Sequence, residues 1–347
     1  MELVEAFRGQ ARACAALGSP MYAVLVDRVA DDYVVGGVSR TVLTGHEDDP
    51  GPSALALRLM GSVHRLVLSR RAGELATYYP SVGGSWEPEG GWAAFAVLLA
   101  ELPDAVREWL DRPPQTNEVG RAAALMGGLL RIGEEHALPV RLFEIGSSGG
   151  LNLRADRYAY TDETGRVFGD PSSPVRLEGA WRGRPLRPWP ELEIVERSGS
   201  DVMPVDVDDR GGRLTLTAYV WPDQTARLER LRGALQVAAR VAAVVRRTDA
   251  VSFARSLELA SGTTTVLWHS VMWQYLSAGD QRALTARIEE LGASATTERP
   301  FAHLMLEPIR RTPGAEHSFL VALRMWPGGA RRILGDGAAH GIPTVWE

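Results

Sequence analysis

The segment 142–153 reads L-F-E-I-G-S-S-G-G-L-N-L, an apolar run that passes through three glycines into a second apolar run. The run Val140–Ile145 is short and apolar, which is typical of a strand buried on both faces of a parallel sheet. Gly146 permits a tight turn, and the later glycines let a ligand or a neighbouring strand come close. A helix is expected to follow. This order of strand, glycine loop and helix predicts an open, largely parallel α/β sheet.

The chain after Pro139 continues to alternate between strand and helix patterns. Apolar runs predict further strands at 264–268 and 301–306, and amphipathic spacing predicts helices at 226–242 and 278–291. The runs 319–325 and 330–334, joined through P-G-G, predict a terminal antiparallel hairpin. The stretch 155–190, which is rich in Pro, Gly and Arg, is interpreted as an inserted loop.

The first part of the chain has a different pattern. Val4, Phe7, Ala11 and Cys14 recur at helical spacing, and breakers such as Y-Y-P-S-V-G-G and D-R-P-P-Q-T-N separate later segments of the same kind. We therefore predict an all-helical domain over residues 1–135. A Rossmann-like α/β domain over 136–347 would follow it, with the inserted loop region near 155–190.

Composition excludes several classes of protein. The net charge of −5 gives no support for nucleic-acid binding. Cys14 is the only cysteine, so the chain has neither an internal disulfide nor a thiolate zinc site, and the histidines lack metal-ligand spacing. The first ten residues lack the apolar core of a signal peptide, and no apolar run is long enough to span a bilayer. We expect a cytoplasmic protein with no metal, no nucleic acid and no membrane partner.

The glycine spacing, E-x-G-x-x-G-G, differs from the dinucleotide fingerprint G-x-G-x-x-G. It resembles the first motif of class I S-adenosylmethionine (SAM) methyltransferases, in which the loop packs against the amino-acid part of SAM. The resemblance implies a methyltransferase-type sheet with SAM as cofactor. The loop residues that would contact the cofactor are Glu144, Gly146, Ser147, Gly149 and Gly150.

Two more acids are candidates for the cofactor. Glu196 follows the run L-E-I-V, where the fold's second strand would present an acid to the ribose, and Asp249 follows V-V-R-R-T, near the expected adenine position. Each is equally compatible with an ordinary solvated charge. Glu196 lies 52 residues beyond Glu144, whereas such an acid usually follows the first strand by ~20 residues. Either the inserted loop accounts for this distance or the second strand is misassigned.

Polar clusters elsewhere supply candidate catalytic and substrate-binding residues. W-H-S at 268–270 ends a predicted strand, so His269 is a candidate general base and Trp268 a candidate pocket wall. Q-T-N-E-V-G-R at 115–121, N-L-R-A-D at 152–156 and W-P-D-Q at 221–224 are candidates for orienting the substrate. From these segments we select Asn117, Glu118, Arg121, Asn152, Asp156 and Asp223.

Most of these residues also have a structural interpretation. Asn117 and Glu118 suit the start of a helix, and Pro222 and Asp223 suit the first turn of another. His269 is equally compatible with a hydrogen-bonded histidine at a strand end. Y-Y-P-S at 78–81 is interpreted as a turn or a pocket rim.

Several of these clusters together resemble a bacterial family, the domain-of-unknown-function family numbered 2332. The resemblance rests on S-P-M-Y, Y-Y-P-S, Q-T-N-E-V-G-R, E-I-G-S-S-G-G-L-N-L with D-R-Y, V-W-P-D-Q, W-H-S and W-P-G-G, and it spans nearly the whole chain. It implies a helical N-terminal part and a methyltransferase-like sheet, but the family as a whole has no assigned activity. The stretch 155–215 departs from the family pattern.

Three functions are compatible with the sequence. The first is a SAM-dependent methyltransferase, or a relative, that acts on a small metabolite in biosynthesis. The second is a SAM-independent enzyme on the same fold that binds an anionic sulfate or phosphate ester leaving group, with Arg121, Arg154 and Arg157 near the anion. The third is a non-catalytic scaffold that binds a protein partner through the helical half.

Overall fold

A computed structural model describes residues 2–49 and 53–347. The chain divides into two compact units. The first, the helical unit, comprises the chain up to Thr116 together with Asp208–Leu228. The second, the sheet unit, comprises Asn117–Val207 and Glu229–Glu347. The predicted boundary at residue 135 therefore lies inside the sheet unit, and a later segment of the chain returns to the helical unit.

The predicted helical segments at 226–242 and 278–291 correspond to helices of the structure. The helices are α1 (Glu2–Ala16), α2 (Pro20–Val34), α3 (Val38–Leu43), α4 (Leu55–Leu68), α5 (Pro88–Glu101), α6 (Pro103–Arg107), α7 (Ala122–Gly133), α8 (Arg210–Ala218), α9 (Thr225–Ala238), α10 (Ala250–Arg255) and α11 (Ala278–Ala293). None of the helices in the described part of the chain is long and apolar enough to cross a membrane.

The strands are β1 (Val140–Ile145), β2 (Ala159–Asp162), β3 (Val167–Gly169), β4 (Arg176–Gly183), β5 (Ile194–Asp201), β6 (Val244–Arg247), β7 (Thr264–Ser270), β8 (Phe301–Arg310), β9 (His317–Trp326), β10 (Arg331–Asp336) and β11 (Thr344–Trp346). They form one sheet in the order β3-β2-β4-β11-β10-β9-β8-β7-β1-β5-β6. The block from β6 to β8 is parallel. Strands β8, β9 and β10 are antiparallel, which confirms the predicted hairpin.

The helical unit is held together by an apolar core and by the returning segment. Phe7, Leu25 and Leu59 are almost completely buried in this core. The Asp223 carboxylate accepts hydrogen bonds from the Ser19 hydroxyl, at 2.7 Å, and from the backbone N–H of Met21, at 3.0 Å. The segment 208–228 thus satisfies donors at the start of α2, which would otherwise lack acceptors.

Residues of the central strands alternate between the two faces of the sheet. Phe143, Ile145 and Leu267 pack in a cluster with α10 and α11. On the other face, α7 lies against β8: a side chain at Gly128 would come within 2.4 Å of Leu304. The sheet therefore has an α7 face and an α10–α11 face, and every central side chain belongs to one of them.

The stretch predicted as an inserted loop contains β2, β3 and β4, which form one edge of the sheet. Tyr160 and Trp181 stack at 5.0 Å, and the Trp181 indole N–H donates to Ala123 O on α7. Short strands in Pro- and Gly-rich sequence lack the continuous apolar run of a central strand. The composition of this stretch therefore suggested a loop.

Candidate functional site

The parallel block has a topological switch point at β1. The chain passes from β1 to β5 and β6 on one side, and then returns to β7 and β8 on the other side. Crossover connections diverge at such a point and leave a crevice at the carboxyl ends of the strands, where open α/β sheets bind ligands. The glycine loop leaves β1 at this crevice.

The glycine loop has a strained, tightly packed backbone. Gly146 (φ +68°) and Gly150 (φ +67°) adopt left-handed conformations, and so does Ser148 (φ +52°), which a non-glycine residue rarely does. A side chain at Gly146 would approach Met272 Cβ to 3.0 Å, and one at Gly150 would approach Val245 to 2.7 Å. Gly146 is exposed, whereas Ser147 to Gly150 are buried. Solvent thus reaches the loop at Gly146.

Polar groups of the sheet unit occupy most of the loop's backbone donors. The N–H of Ser147 donates to Ser200 O at 3.0 Å, and that of Ser148 donates to the Asp201 carboxylate at 2.9 Å. The N–H of Leu151 donates to the Asn117 side-chain oxygen at 3.0 Å. The loop is therefore rigid, and a carboxylate already lies against it.

The expected helix after the loop is a 3-10 turn, Leu151–Arg157. Arg154 has non-helical backbone angles there, and its guanidinium donates back to Gly150 O at 2.7 Å. The Tyr158 hydroxyl donates to Leu151 O at 2.6 Å. Side-chain donors thus occupy the carbonyls of Gly150 and Leu151, which would accept backbone N–H groups in an α-helix. No α-helix therefore begins directly after the loop.

Glu144 is the most unusual ionisable group of the crevice. It is 3% exposed, and burial raises the pKa of its carboxyl to about 8, although the nearby Trp268 indole and Asn152 amide favour the charged form. Glu144 Oε2, Asn152 Oδ1 and Trp268 Nε1 are buried without a well-formed hydrogen bond. The three side chains contact one another and form a buried polar cluster beside the glycine loop.

His269 belongs to a different cluster. Its Nδ1 lies 2.8 Å from Glu307 Oε1, and its Nε2 lies 2.9 Å from Nε2 of His303. Trp273 stacks on its ring at 5.4 Å. Burial, together with His269 and nearby arginines, holds the pKa of His303 well below its usual range. Since the two Nε2 atoms lie within hydrogen-bond distance, one of them donates and the other accepts.

Glu307 also holds the turn that follows β7. Its Oε1 accepts the backbone N–H groups of Met272, at 3.0 Å, and Trp273, at 3.3 Å. Val271, at the start of this turn, has φ +50°, which is strained for a β-branched residue. The Met272 side chain lies over Gly146. Glu307 therefore fixes the segment that packs against Gly146 of the glycine loop.

Replacing Glu307 by alanine is expected to destabilise the protein by about 3 kcal/mol, because it leaves His269 Nδ1 and two backbone N–H groups buried without an acceptor. Urea unfolding of Glu307→Ala measures this loss. Glu316→Ala removes an exposed carboxylate and serves as control. A loss below about 1 kcal/mol would mean that water replaces the carboxylate at little cost.

Glu144 and His269 lie on opposite faces of the sheet. In the register of β1 and β7, Glu144 lies beside Trp268, so the adjacent His269 points to the α10–α11 face. His269 and Trp268 are both completely buried. The expected arrangement, with His269 as a base above the loop and Trp268 as a pocket wall, is not the arrangement that the structure shows.

The segment before α7 meets the loop as expected, through structural contacts. Asn117 caps the turn after the loop, and Glu118, which is buried, accepts the N–H of Gly120 at 2.9 Å. Glu118 O accepts the amide of Asn152 at 3.3 Å. Arg121 donates to Ala339 O at 3.0 Å and to Ser270 O at 3.4 Å. These residues surround the carboxyl ends of β1 and β7.

Asp156 lies at the end of the 3-10 turn. It forms a bidentate ion pair with Arg197 at 2.6 and 2.7 Å, and Arg157 approaches it to 3.0 Å. Arg197 also donates to Leu153 O at 2.7 Å. Asp156 therefore fixes the turn, and it lines a cleft beyond it.

That cleft has a volume of about 470 Å³ and lies in the sheet unit. It is lined by Met126 and Leu130 of α7, by Phe168 and Trp189, and by the charged pair Asp156 and Arg157, among others. Apolar and aromatic walls with a few charged groups suit a small organic molecule of this size.

Glu196 and Asp223 lie away from the crevice, whereas Asp249 directly follows the carboxyl end of β6, where the N–H of Thr248 donates to Asp201 O at 3.1 Å. Glu196 lies near the amino end of β5, where it pairs with Arg141 at 2.7 Å. The strand continues beyond it to Asp201, so the predicted second strand ended too early. Asp249 accepts the N–H of Ser252 at 2.8 Å and caps α10, and these hydrogen bonds lower its pKa. Asp223 belongs to the helical unit, where it caps α2.

Sequence reasoning missed Asp201, Glu307 and His303. Asp201 ends β5 beside the glycine loop, in the place expected for Glu196. Extending the strand through R-S-G-S-D would have found it. Glu307 lies 38 residues beyond His269, and only the pairing of β7 with β8 brings the two together. The described residues contain no cluster of three or more acids, histidines or cysteines arranged to hold a metal.

A family model described as an uncharacterized protein conserved in bacteria, DUF2332, matches residues 4–346. The chain belongs to this family. The DUF2332 match covers both the helical and the sheet unit, as the resemblance in the sequence implied. No curated protein and no solved structure matches the chain.

Proposed function

We propose that this DUF2332 protein is an enzyme that binds SAM, or a related adenosyl ligand, at its glycine loop. It would act on a small metabolite as a methyltransferase or a relative of one. The carrying observation is the position of the loop, which follows the buried Glu144 at the topological switch point of the sheet. Asp201 at the end of the neighbouring strand adds an acid beside the loop.

The polar cluster on the α7 face fits the amino-acid part of such a ligand. Glu144 Oε2 and Asn152 Oδ1 are acceptors that an ammonium group would satisfy. A cationic ligand would also draw Glu144 toward its charged form. Bound SAM would supply a methyl group on a sulfonium sulfur, and the neutral thioether left after transfer would need no acid catalysis.

The cleft beyond Asp156 is the proposed site of the methyl acceptor. Its volume of about 470 Å³ suits a metabolite with an apolar or aromatic part. Asp156 lines the cleft and belongs to the 3-10 turn that follows the glycine loop. An acceptor there needs mainly to be aligned with the cofactor, since proximity and orientation supply most of the rate in such a transfer.

The geometry gives less support to an anionic leaving group. The Ser148 N–H, which would face the anion, is occupied by the Asp201 carboxylate, and a second negative charge beside it would be repelled. Arg121 and Arg154 donate to backbone carbonyls. The scaffold hypothesis gains no support from α4, whose apolar face is buried in its own unit.

Isothermal titration with SAM and S-adenosylhomocysteine tests the proposal. We expect micromolar binding of both, with sulfate and phosphate as parallel titrants that release no heat. Asp201→Asn, which removes the charge beside Ser148, should weaken the adenosyl ligands, whereas Glu298→Gln, which removes an exposed charge, should not. Binding of sulfate without binding of either adenosyl ligand would overturn the proposal.

A further inference from the structure

The helical unit contains a serine and a histidine in hydrogen-bond contact. His64 of α4 is completely buried, and its Nε2 lies 2.8 Å from the hydroxyl oxygen of Ser81. Its Nδ1 lies 3.1 Å from Ala218 O, in the segment that returns to this unit. Ser81 belongs to the Y-Y-P-S cluster and is partly exposed. The pair therefore consists of a buried base, His64, hydrogen-bonded to the hydroxyl of a partly exposed residue, Ser81.

The direction of the proton follows from the partners. A backbone carbonyl only accepts, so Nδ1 of His64 carries the hydrogen and donates it to Ala218 O. Burial lowers the pKa of His64 to about 4, so the ring is neutral at pH 7 and Nε2 has a lone pair. The Ser81 hydroxyl must then donate to Nε2. A nucleophile, a base and a third group that orients the base are thereby aligned.

The turn around Ser81 holds the hydroxyl in place. Pro80–Val82 forms a 3-10 turn, which Gly83 ends in a left-handed conformation (φ +88°). Tyr79 is completely buried beneath it, with its ring 5.6 Å from that of His64. A rigid turn that presents a serine above a buried histidine limits the rotamers that the hydroxyl can adopt.

We propose that Ser81 is a nucleophile, activated by His64, that accepts an acyl group from an ester or thioester. Ser81 Oγ bonds to the carbonyl carbon while its proton passes to Nε2 of His64. The bond to the leaving alkoxide or thiolate breaks, and Nε2 returns the proton to it. Water then attacks the serine ester by the same route, releasing a carboxylic acid and restoring Ser81. This inference is independent of SAM binding.

The turn itself gives little help to a developing oxyanion. The N–H groups of Val82, Gly83 and Gly84 all donate within the turn, at 3.0 to 3.1 Å. We therefore expect reaction with strongly activated electrophiles at a measurable rate, and slow turnover of ordinary esters.

Labelling of the full-length protein with a fluorophosphonate tests the proposal, because the Oγ–P bond forms as fluoride leaves and the adduct is stable. Peptide mass spectrometry should find the adduct on Ser81, formed at least about tenfold faster than on the exposed Ser85. Ser81→Ala should lose the adduct, whereas Ser85→Ala should keep it. Equal rates at Ser81 and Ser85, or labelling elsewhere only, would overturn the proposal.

The pH dependence of labelling separates activation by His64 from simple exposure. With a pKa of about 4, His64 is a neutral base throughout pH 6–8, so the rate should be flat there. No other nearby group is expected to change the rate in this range. Tyr79 and Tyr219 have raised pKa values and stay neutral. Glu74 is exposed, Arg58 pairs with Asp49, and Arg65 lies over the Trp109 ring. A rate that rises tenfold per pH unit would mean hydroxide-driven reaction without His64.

His64 is buried, so its replacement risks the fold. Ser81→Cys, which changes one atom, provides a second route. Its thiol should react with iodoacetamide faster than that of a Ser85→Cys control, because Nε2 can accept the thiol proton as the sulfur attacks. Equal reactivity of the two thiols would count against activation.

Discussion

Replacing Glu144 by glutamine is expected to stabilise the protein strongly at alkaline pH. The pKa of the carboxyl is about 8 in the folded protein, against a reference value of 4.5. Its contribution to stability is therefore fully present below pH 4.5 and is lost as pH rises through 8. A pKa difference of about 3.5 corresponds to about 5 kcal/mol. Glutamine, which stays neutral, avoids that loss.

Urea unfolding at pH 5 and pH 8.5 measures the effect. The free energies of Glu144→Gln and wild type should be similar at pH 5, whereas at pH 8.5 the variant should be more stable by about 4 kcal/mol. The exposed Glu298→Gln serves as control and should follow wild type at both pH values. An equal free energy for Glu144→Gln and wild type at pH 8.5 would mean that water or a bound cation relieves the buried carboxylate.

Gly146→Val is expected to abolish binding of the proposed adenosyl ligand, with a loss of affinity of more than about 100-fold. The left-handed backbone costs a branched residue about 2 kcal/mol. The new Cβ would also lie 3.0 Å from Met272, in the part of the loop that is open to solvent. Titration with S-adenosylhomocysteine measures the loss of affinity.

Gly165→Val is the matched control. Gly165 has φ +83°, and a Cβ added there would have no neighbouring atom within 4 Å, so the variant carries the same backbone strain without the contact. It lies in the turn between β2 and β3, away from the glycine loop. Unchanged ligand affinity in Gly146→Val, with normal affinity in the control, would place the ligand elsewhere.

The parts of the fold that were predicted correctly are those with a local pattern. The apolar run of β1 and the P-G-G link between β9 and β10 each fall within a few neighbouring residues, and the predicted α/β class with its terminal hairpin is confirmed. The end of β5 was misjudged because Ser198, Gly199 and Ser200 interrupt its apolar pattern. At Gly199 a side chain would lie 2.5 Å from the Ser147 hydroxyl, so close packing against the loop requires a small residue there.

The contacts of the site depend on pairings that sequence spacing does not contain. His269 was recognised as a strand-end histidine, but its partners come from β8, and the face to which it points depends on strand register. Asp223 was interpreted as part of a helix start, yet its carboxylate caps a helix 202 residues earlier in the chain. Such contacts decide which candidate residues meet, and a single sequence gives no signal for them.

The return of the segment 208–228 to the helical unit has a consequence for folding during synthesis. Residues up to Thr116 leave the ribosome first, but the acceptor of the Met21 N–H at the start of α2 and the acceptor of His64 are supplied only after Asp223 and Ala218 have been made. The nascent helices therefore lack Trp221 of their apolar core while the first strands of the sheet unit are synthesised. The helical unit therefore reaches its final set of hydrogen bonds only after residues of the sheet unit have also been made.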